Sequence, residues 1–242
     1  MFLHYRTQGF ILKKIDRGEA DRIFTIYTRD FGKLDLLAKG ERRIKSKLRA
    51  GLELFYLSEI EFIQGKAHRT LTDTILIENF KNLRRDLVRL KIAHQISDVL
   101  DNLVKGEEAD REIWQLLTDT FRLLDKPKIL TVTCQLLYYY FLWNFLSILG
   151  YQVELYKCSL CQKKITPEDI SFSPREGGLI GNECKKKIKS LKPINADTVK
   201  MLRIIYKKDS STLKKLKSSS QSLNELNKIS NYYLSSVLEK TR

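Results

Sequence analysis

Two groups of side chains in this sequence have the types and spacing to do chemistry. The first is a set of thiols. Cys158 and Cys161 form a C-x-x-C, and Cys184 follows across a stretch rich in turn residues, Pro167, Pro174, Gly177 and Gly178 among them. Two thiolates at that spacing can share one metal ion, and structural zinc takes four Cys or His donors, commonly as two short-spaced pairs. Where a second pair should stand the chain reads Gly181-Asn182-Glu183-Cys184, and His4, His68 and His94 are all far away in sequence. The residues alone leave two outcomes open. One is three thiolates completed by water or by a carboxylate such as Glu183; the other is three ordinary thiols without a metal.

The second group is cationic. Lys39, Arg42, Arg43, Lys45, Lys47 and Arg49 crowd the run KGERRIKSKLRAG, against the one acid Glu41. Cations this dense attract polyanions, above all the phosphates of nucleic acid. The bland alternative is a charged connection that touches only water. It is weakened by the flanking sequence, which reads as a small barrel carrying aromatics such as Phe24, Tyr27 and Phe31; some of these must fill its interior, and the others are available to stack on bases. Lys185, Lys186 and Lys187, with Lys189 and Lys192, make another cluster beside Cys184. It suits a wider nucleic-acid footprint, an acidic peptide or a plain solvated face. Catalytic signals are thin: there is no phosphate-binding glycine loop, no His-centred constellation and no nucleophile elbow. Asp16, Glu19 and Asp21 gather at a turn that accounts for them. No enzymatic activity is expected.

The elements that must position these groups fall into two kinds. Gly9–Ile15, Ile23–Arg29, Lys33–Ala38, Leu54–Ile63 and Thr70–Glu78 are short runs rich in β-branched and aromatic residues, which predicts five strands and a small closed barrel over 1–80. Gly32 is placed for a tight hairpin, and Gln64-Gly65-Lys66 for another. From Asn79 the apolar residues recur at helical spacing, predicting a helix that Asn79 caps and Gly106 stops, then a second over Asp110–Leu124. Further helices are expected from Asn195 or Asp197 through Ile205 and over Ser222–Leu238, joined by a solvated connection, Lys207–Ser220. Residues 81–242 thus read as a helical domain, with the cysteine-bearing insert at about 155–190.

Ile129–Leu149 runs without a charge for the length of a membrane span. Its Thr131, Thr133, Gln135, Asn144 and Ser147 and thin basic flanks favour a central helix buried on all sides instead. The N-terminus has no apolar leader, so a cytoplasmic location is expected. The 242 residues carry a formal net charge of +15. That charge is concentrated: residues 151–242 hold 19 basic against 9 acidic side chains, residues 1–80 hold 15 against 11. Anionic partners are favoured overall.

Taken together, these pieces resemble one family, RecO. The run TQGFILKKIDRGEADRIFTIYTRDFGKLDLLAKGERRIKSKLRAG is similar to that family's opening barrel. FLSILGYQVELYKCSLC, continuing through FSPREGGLIGNEC, is similar to its junction between helix and zinc module. The resemblance spans nearly the whole chain. It implies an OB-fold, then an α-helical domain with a zinc-ribbon-like insert, in an α+β multidomain protein. It further implies binding of single- and double-stranded DNA, strand annealing, and work with RecR to load RecA onto strands coated by single-strand-binding protein, whose acidic tail is a partner. Cys158, Cys161 and Cys184 carry over as zinc ligands; Gly181 stands where the family pattern has its fourth cysteine. An RNA-binding or ribosome-associated OB-fold protein is the competing expectation.

Overall fold

Alternation of apolar and polar residues puts five strands around one core. The computed structural model describes residues 3–65, 68–166, 170–188, 190–207 and 219–241. Lys66, Pro167, Lys189 and most of the Lys207–Ser220 connection lie outside them. Strands β1 (His4–Arg17), β2 (Asp21–Thr28), β3 (Gly32–Ala38), β4 (Leu57–Gln64) and β5 (Arg69–Glu78) close a barrel in the order β1-β2-β3-β5-β4. All pairs are antiparallel except β3 with β5, which meet in parallel at Leu37 and Thr70. This is an OB-fold. Ile11, Phe24, Ile26, Leu34, Leu36, Ile60 and Phe62 fill its interior. Gly32 takes φ 63 in the β2–β3 turn, a conformation that costs glycine nothing.

The fourth strand begins later than its alternation predicts. Residues 52–56 turn instead, with Phe55 at φ 65. That conformation is held because the Phe55 N–H donates to Ile11 O at 2.8 Å and its ring packs on His94 and Phe121. Tertiary contacts override the local β preference.

Helix α1 (Lys81–Arg85) and α2 (Leu87–Leu103) replace the single helix expected from Asn79. The break is Asp86, extended at φ −116, whose carboxylate accepts from the N–H groups of Val88 and Arg89 and so caps α2. Helix α3 (Arg111–Leu124) is capped the same way by Asp110. On the outer face of β1, Phe10 meets Phe80, Trp114 and Phe121 at ring distances of 5.2–5.9 Å. The helices thereby bury the barrel's apolar outside, and Met1–Cys134 forms one compact unit.

Gln135–Arg242 forms the other. It contains most of α4 (Thr131–Ile148), a small sheet β6 (Ser171–Ser173), β7 (Gly178–Ile180) and β8 (Lys192–Pro193) in the order β7-β6-β8, a short helix α5 (Asn182–Lys185), α6 (Ala196–Tyr206) and α7 (Ser220–Thr241). Helix α4 is the expected central helix: Phe141, Leu142, Trp143, Phe145 and Leu146 are fully buried. Two of its polar donors find partners inside. Trp143 Nε1 donates to Ser230 Oγ at 2.9 Å, and Asn144 Nδ2 donates to Ile205 O at 3.1 Å. Among the described residues no helix is long and apolar enough to cross a membrane.

An ion-pair cluster ties α2 to the barrel. Asp101 lies 2.9 Å from Lys13 and 3.1 Å from Lys33, and Asp98 lies 3.0 Å from Lys13. Burial alone would raise the Asp101 carboxyl; the two ammonium groups outweigh it and hold the group below the usual carboxylate range. A carboxyl depressed on folding stabilises above its unfolded pKa, and that contribution is lost as pH falls through the folded value. The urea midpoint is therefore expected to drop as pH falls below about 4. Asp101→Asn should be less stable than the parent at neutral pH, with the two midpoints converging in acid. A constant difference across pH would refute the assignment.

Candidate functional site

The basic loop is anchored from beneath. It joins β3 to β4, and its second half, Lys47–Gly51, is a 3-10 turn. Asp21 Oδ1 accepts from Gly40 N–H at 2.7 Å, and Ala20 O accepts from Arg42 N–H at 3.0 Å. At the far end Thr74 Oγ1 donates to Leu48 O, Ser58 Oγ donates to Gly51 O, and Leu48 packs against the barrel core. Glu41 decides the loop's polarity. It is 3% exposed and accepts from Arg22 Nη1 at 3.0 Å, so the loop's one acid points inward. Lys39, Arg42, Arg43, Lys45, Lys47 and Arg49 are all exposed.

Pairing separates these cations from others on the barrel. Lys13, Lys14, Lys33 and Arg22 are each neutralised by a carboxylate. In the loop, Arg42 leans on Gly18 O and Asp16. Lys39, Arg43, Lys45, Lys47 and Arg49 form no ion pair with any described residue. The structure sorts the three candidate stacking aromatics, of which the sequence required some to fill the barrel. Phe24 and Tyr27 are fully buried, the first in the barrel interior and the second stacked on Trp114. Only Phe31 is partly exposed, edge-on to Tyr5 and Phe62. Strand alternation could not tell interior from exterior because α3 covers one outer face.

A second basic concavity, of about 450 Å³, is lined by Asn79, Lys81, Arg84 and Arg85. Arg84 stacks over the Tyr56 ring at 4.4 Å. The KNLRR run was its only signal, and helical periodicity had absorbed it.

The second unit brings the three expected thiols together. The sulfur atoms of Cys158, Cys161 and Cys184 lie within 4.8 Å of one another, and they are the members of the one such group among the described residues. Two turns present them. Gln162 N–H donates to Cys158 O at 2.9 Å with Gln162 at φ 61, and Cys184 N–H donates to Gly181 O at 3.0 Å. Strand β7 holds the first turn through Ser159 N–H to Leu179 O at 2.9 Å. Burial opposes ionisation of Cys158, but the N–H groups of Cys161, Gly181 and Leu160, with the Cys161 thiol, bring it down to about 7. The Cys161 side chain, burial and Cys158 together push Cys184 up to about 11. Donors aimed at a sulfur are what a thiolate requires, so the three cysteines fit a thiophilic metal ion through three positions. Glu183 is turned to Lys163, 2.7 Å away, and is not in the group. Lys186 and Lys187 are exposed just beyond Cys184, and Lys185 is half-buried.

A closed five-stranded OB barrel with an outward cationic loop, followed by a helical unit with a cysteine-turn module, defines a class of two-part OB-fold protein. The comparisons narrow it. The family described as Recombination protein O N terminal matches residues 1–80, and Recombination protein O C terminal matches residues 84–242. The chain belongs to the RecO family. It is 34% identical over 236 residues to the DNA repair protein RecO of Dehalococcoides mccartyi strain 195, covering 98% of this chain and 91% of that one. It is 31% identical over 242 residues to the protein of that name from Acetivibrio thermocellus, covering 98% and 93%.

Glu41→Gln should loosen the loop by removing the charge that Arg22 holds. Trypsin should then cut after Arg42, Arg43 or Lys45 several-fold faster than in the parent, and urea stability should fall by about 1–3 kcal/mol, since Glu41 is buried and Arg22 keeps Asp16 as a second partner. Equal cleavage rates would show that the backbone anchors suffice alone.

Proposed function

We propose that this chain is a DNA-binding mediator of recombinational repair. It anneals complementary strands and, with RecR, helps to load RecA onto DNA coated by single-strand-binding protein. The observation that carries the DNA-binding part is the basic loop, whose cations face solvent while its one acid is buried against Arg22. Lys39, Arg42, Arg43, Lys45, Lys47 and Arg49 neutralise backbone phosphates, so that two strands held by the protein repel each other less and their bases can pair. Lys185, Lys186 and Lys187 form a second contact on the helical unit. Few exposed aromatics flank the loop, which favours phosphate contact over base stacking and therefore binding without sequence preference.

Membership of the RecO family, with relatives named DNA repair protein, supports the repair setting. RecR, the acidic tail of single-strand-binding protein and, indirectly, RecA are the protein partners that membership suggests. The work is cytoplasmic and needs no catalytic group. Cys158, Cys161 and Cys184 hold a structural zinc ion. Its chemistry is cross-linking: among the described residues the cluster beside it is small, Cys158, Ile180 and Cys184 with Ile165, Ile188 and Leu191 packed on it, and a metal would tie the two thiol turns together.

The deciding experiment is annealing of complementary DNA strands, bare and coated with single-strand-binding protein, with RNA strands as the contrast. Accelerated annealing of both bare and coated DNA is expected; acceleration confined to RNA would sink the proposal. If about five phosphates are neutralised, single-strand affinity should fall with salt at a log–log slope of about −3.5. Replacing Arg42, Arg43, Lys45 and Lys47 by Ala should flatten that slope by about 2.8 and weaken all sequences alike. An unchanged slope would remove the loop from the interface.

A further inference from the structure

We infer that the metal in the cysteine module is held through three donors among the described residues, and that the remaining position, beside Gly181, accepts a small thiolate from solution. The inference rests on the zinc reading above and concerns what this chain's own residues do toward that ion. Four donors complete a structural zinc site. Among the described residues Cys158, Cys161 and Cys184 converge and no further Cys, His, Asp or Glu joins them. Glu183, the nearest acid in sequence, is committed to Lys163.

The missing donor is a missing side chain rather than a missing turn. Two nearby glycines make the contrast. A Cβ on Gly178 would collide with the backbone of Glu154, so glycine is required there by close approach. Gly181 has no such reason. Its backbone is extended, φ −77 and ψ 162, which any residue adopts, and a Cβ there would meet only Ile165 Cδ1 at 3.6 Å, an ordinary contact. The 181–184 turn still closes, because Cys184 N–H reaches Gly181 O.

The space this leaves is usable. The three cysteines line a concavity of about 280 Å³ with Lys163, Lys164 and Asn182 among its walls. It is large enough for a small ligand; Lys163 is paired with Glu183 on its wall, and Lys164 is the cation left to favour a negative one. A thiophilic ion with three thiolates takes a soft anion in preference to water or carboxylate. Cys161, the exposed member of the three, leaves the cluster open to solvent.

Cobalt(II) makes the prediction visible. The full chain, stripped with chelator and kept reduced with a phosphine that does not ligate, is loaded with cobalt(II) and titrated with 2-mercaptoethanol. The thiolate-to-cobalt absorption is expected to rise by about one third, from three sulfur donors to four, and to saturate at one thiol per cobalt. Gly181→Cys should show the higher absorption at once and ignore added thiol. It should also lose cobalt to chelator at least about tenfold more slowly. Cobalt that binds the parent chain but does not respond to thiol would overturn this inference while leaving the metal site in place. A parent chain that binds no cobalt would overturn both. The parent titration decides the point even where the variant fails to fold.

Discussion

The bulge in β1 is the constraint on which the barrel and its surroundings depend. One strand pairs with β4 from His4 to Phe10 and with β2 from Gly9 to Arg17, and the register skips between Ile11 and Lys13. A bulge sharpens twist and bends the strand, as a small closed barrel needs. It also leaves Leu12 O without a ladder partner, and Ser97 Oγ of α2 donates to it at 2.9 Å. Phe10, Ile11 and Leu12 are consequently buried in succession. Ile11 faces the barrel core, whereas Phe10 faces the aromatic cluster under α1 and α3. The same strand also receives the chain that leaves the basic loop, since Ile11 N–H donates to Tyr56 O and Ile11 O accepts from Phe55 N–H.

Electrostatics on this unit is sorted by pairing. Cations on the barrel wall serve the fold: Lys13 and Lys33 grip α2 through Asp101, and Lys14 reaches Glu53, as does Arg84 from α1. Those on the β3–β4 loop are left for something else. Turning Glu41 inward costs desolvation that the Arg22 contact offsets, and its effect is a loop surface of one sign. Surface charges unpaired in this way repel each other until a polyanion arrives, which is how such a loop contributes more to binding than to stability.

The cysteine module follows a different logic. Its strands are three residues or fewer, and its apolar core is a handful of side chains. Order there comes from backbone hydrogen bonds: Ser159 N–H to Leu179 O ties the first thiol turn to β7, and Cys184 N–H to Gly181 O closes the second turn. Both devices survive the presence of Gly181, because neither uses a side chain at that position.

Much of this was legible in the sequence. Alternation marked the five strands, periodicity marked the helices, and the polar residues within Ile129–Leu149 already argued for a buried helix, as the Trp143 and Asn144 contacts bear out. Membership of the RecO family was readable from the barrel run and the C-x-x-C junction. Tertiary structure alone decided the rest. Phe24 was lost to the barrel interior and Tyr27 to the cover of Trp114, and strand period two does not say which face is inside or covered. The helix break at Asp86 and the turn at Phe55 were set by a cap and by long-range aromatic packing. Glu41 counted as one acid among six bases in the sequence, and only the fold turned it to Arg22. The thiols show the same division: the sequence by itself supplied three thiols and a glycine at the place of a fourth, and left a carboxylate such as Glu183 open. Their convergence within 4.8 Å, across more than twenty residues of chain, is a product of the turns and small sheet that hold them.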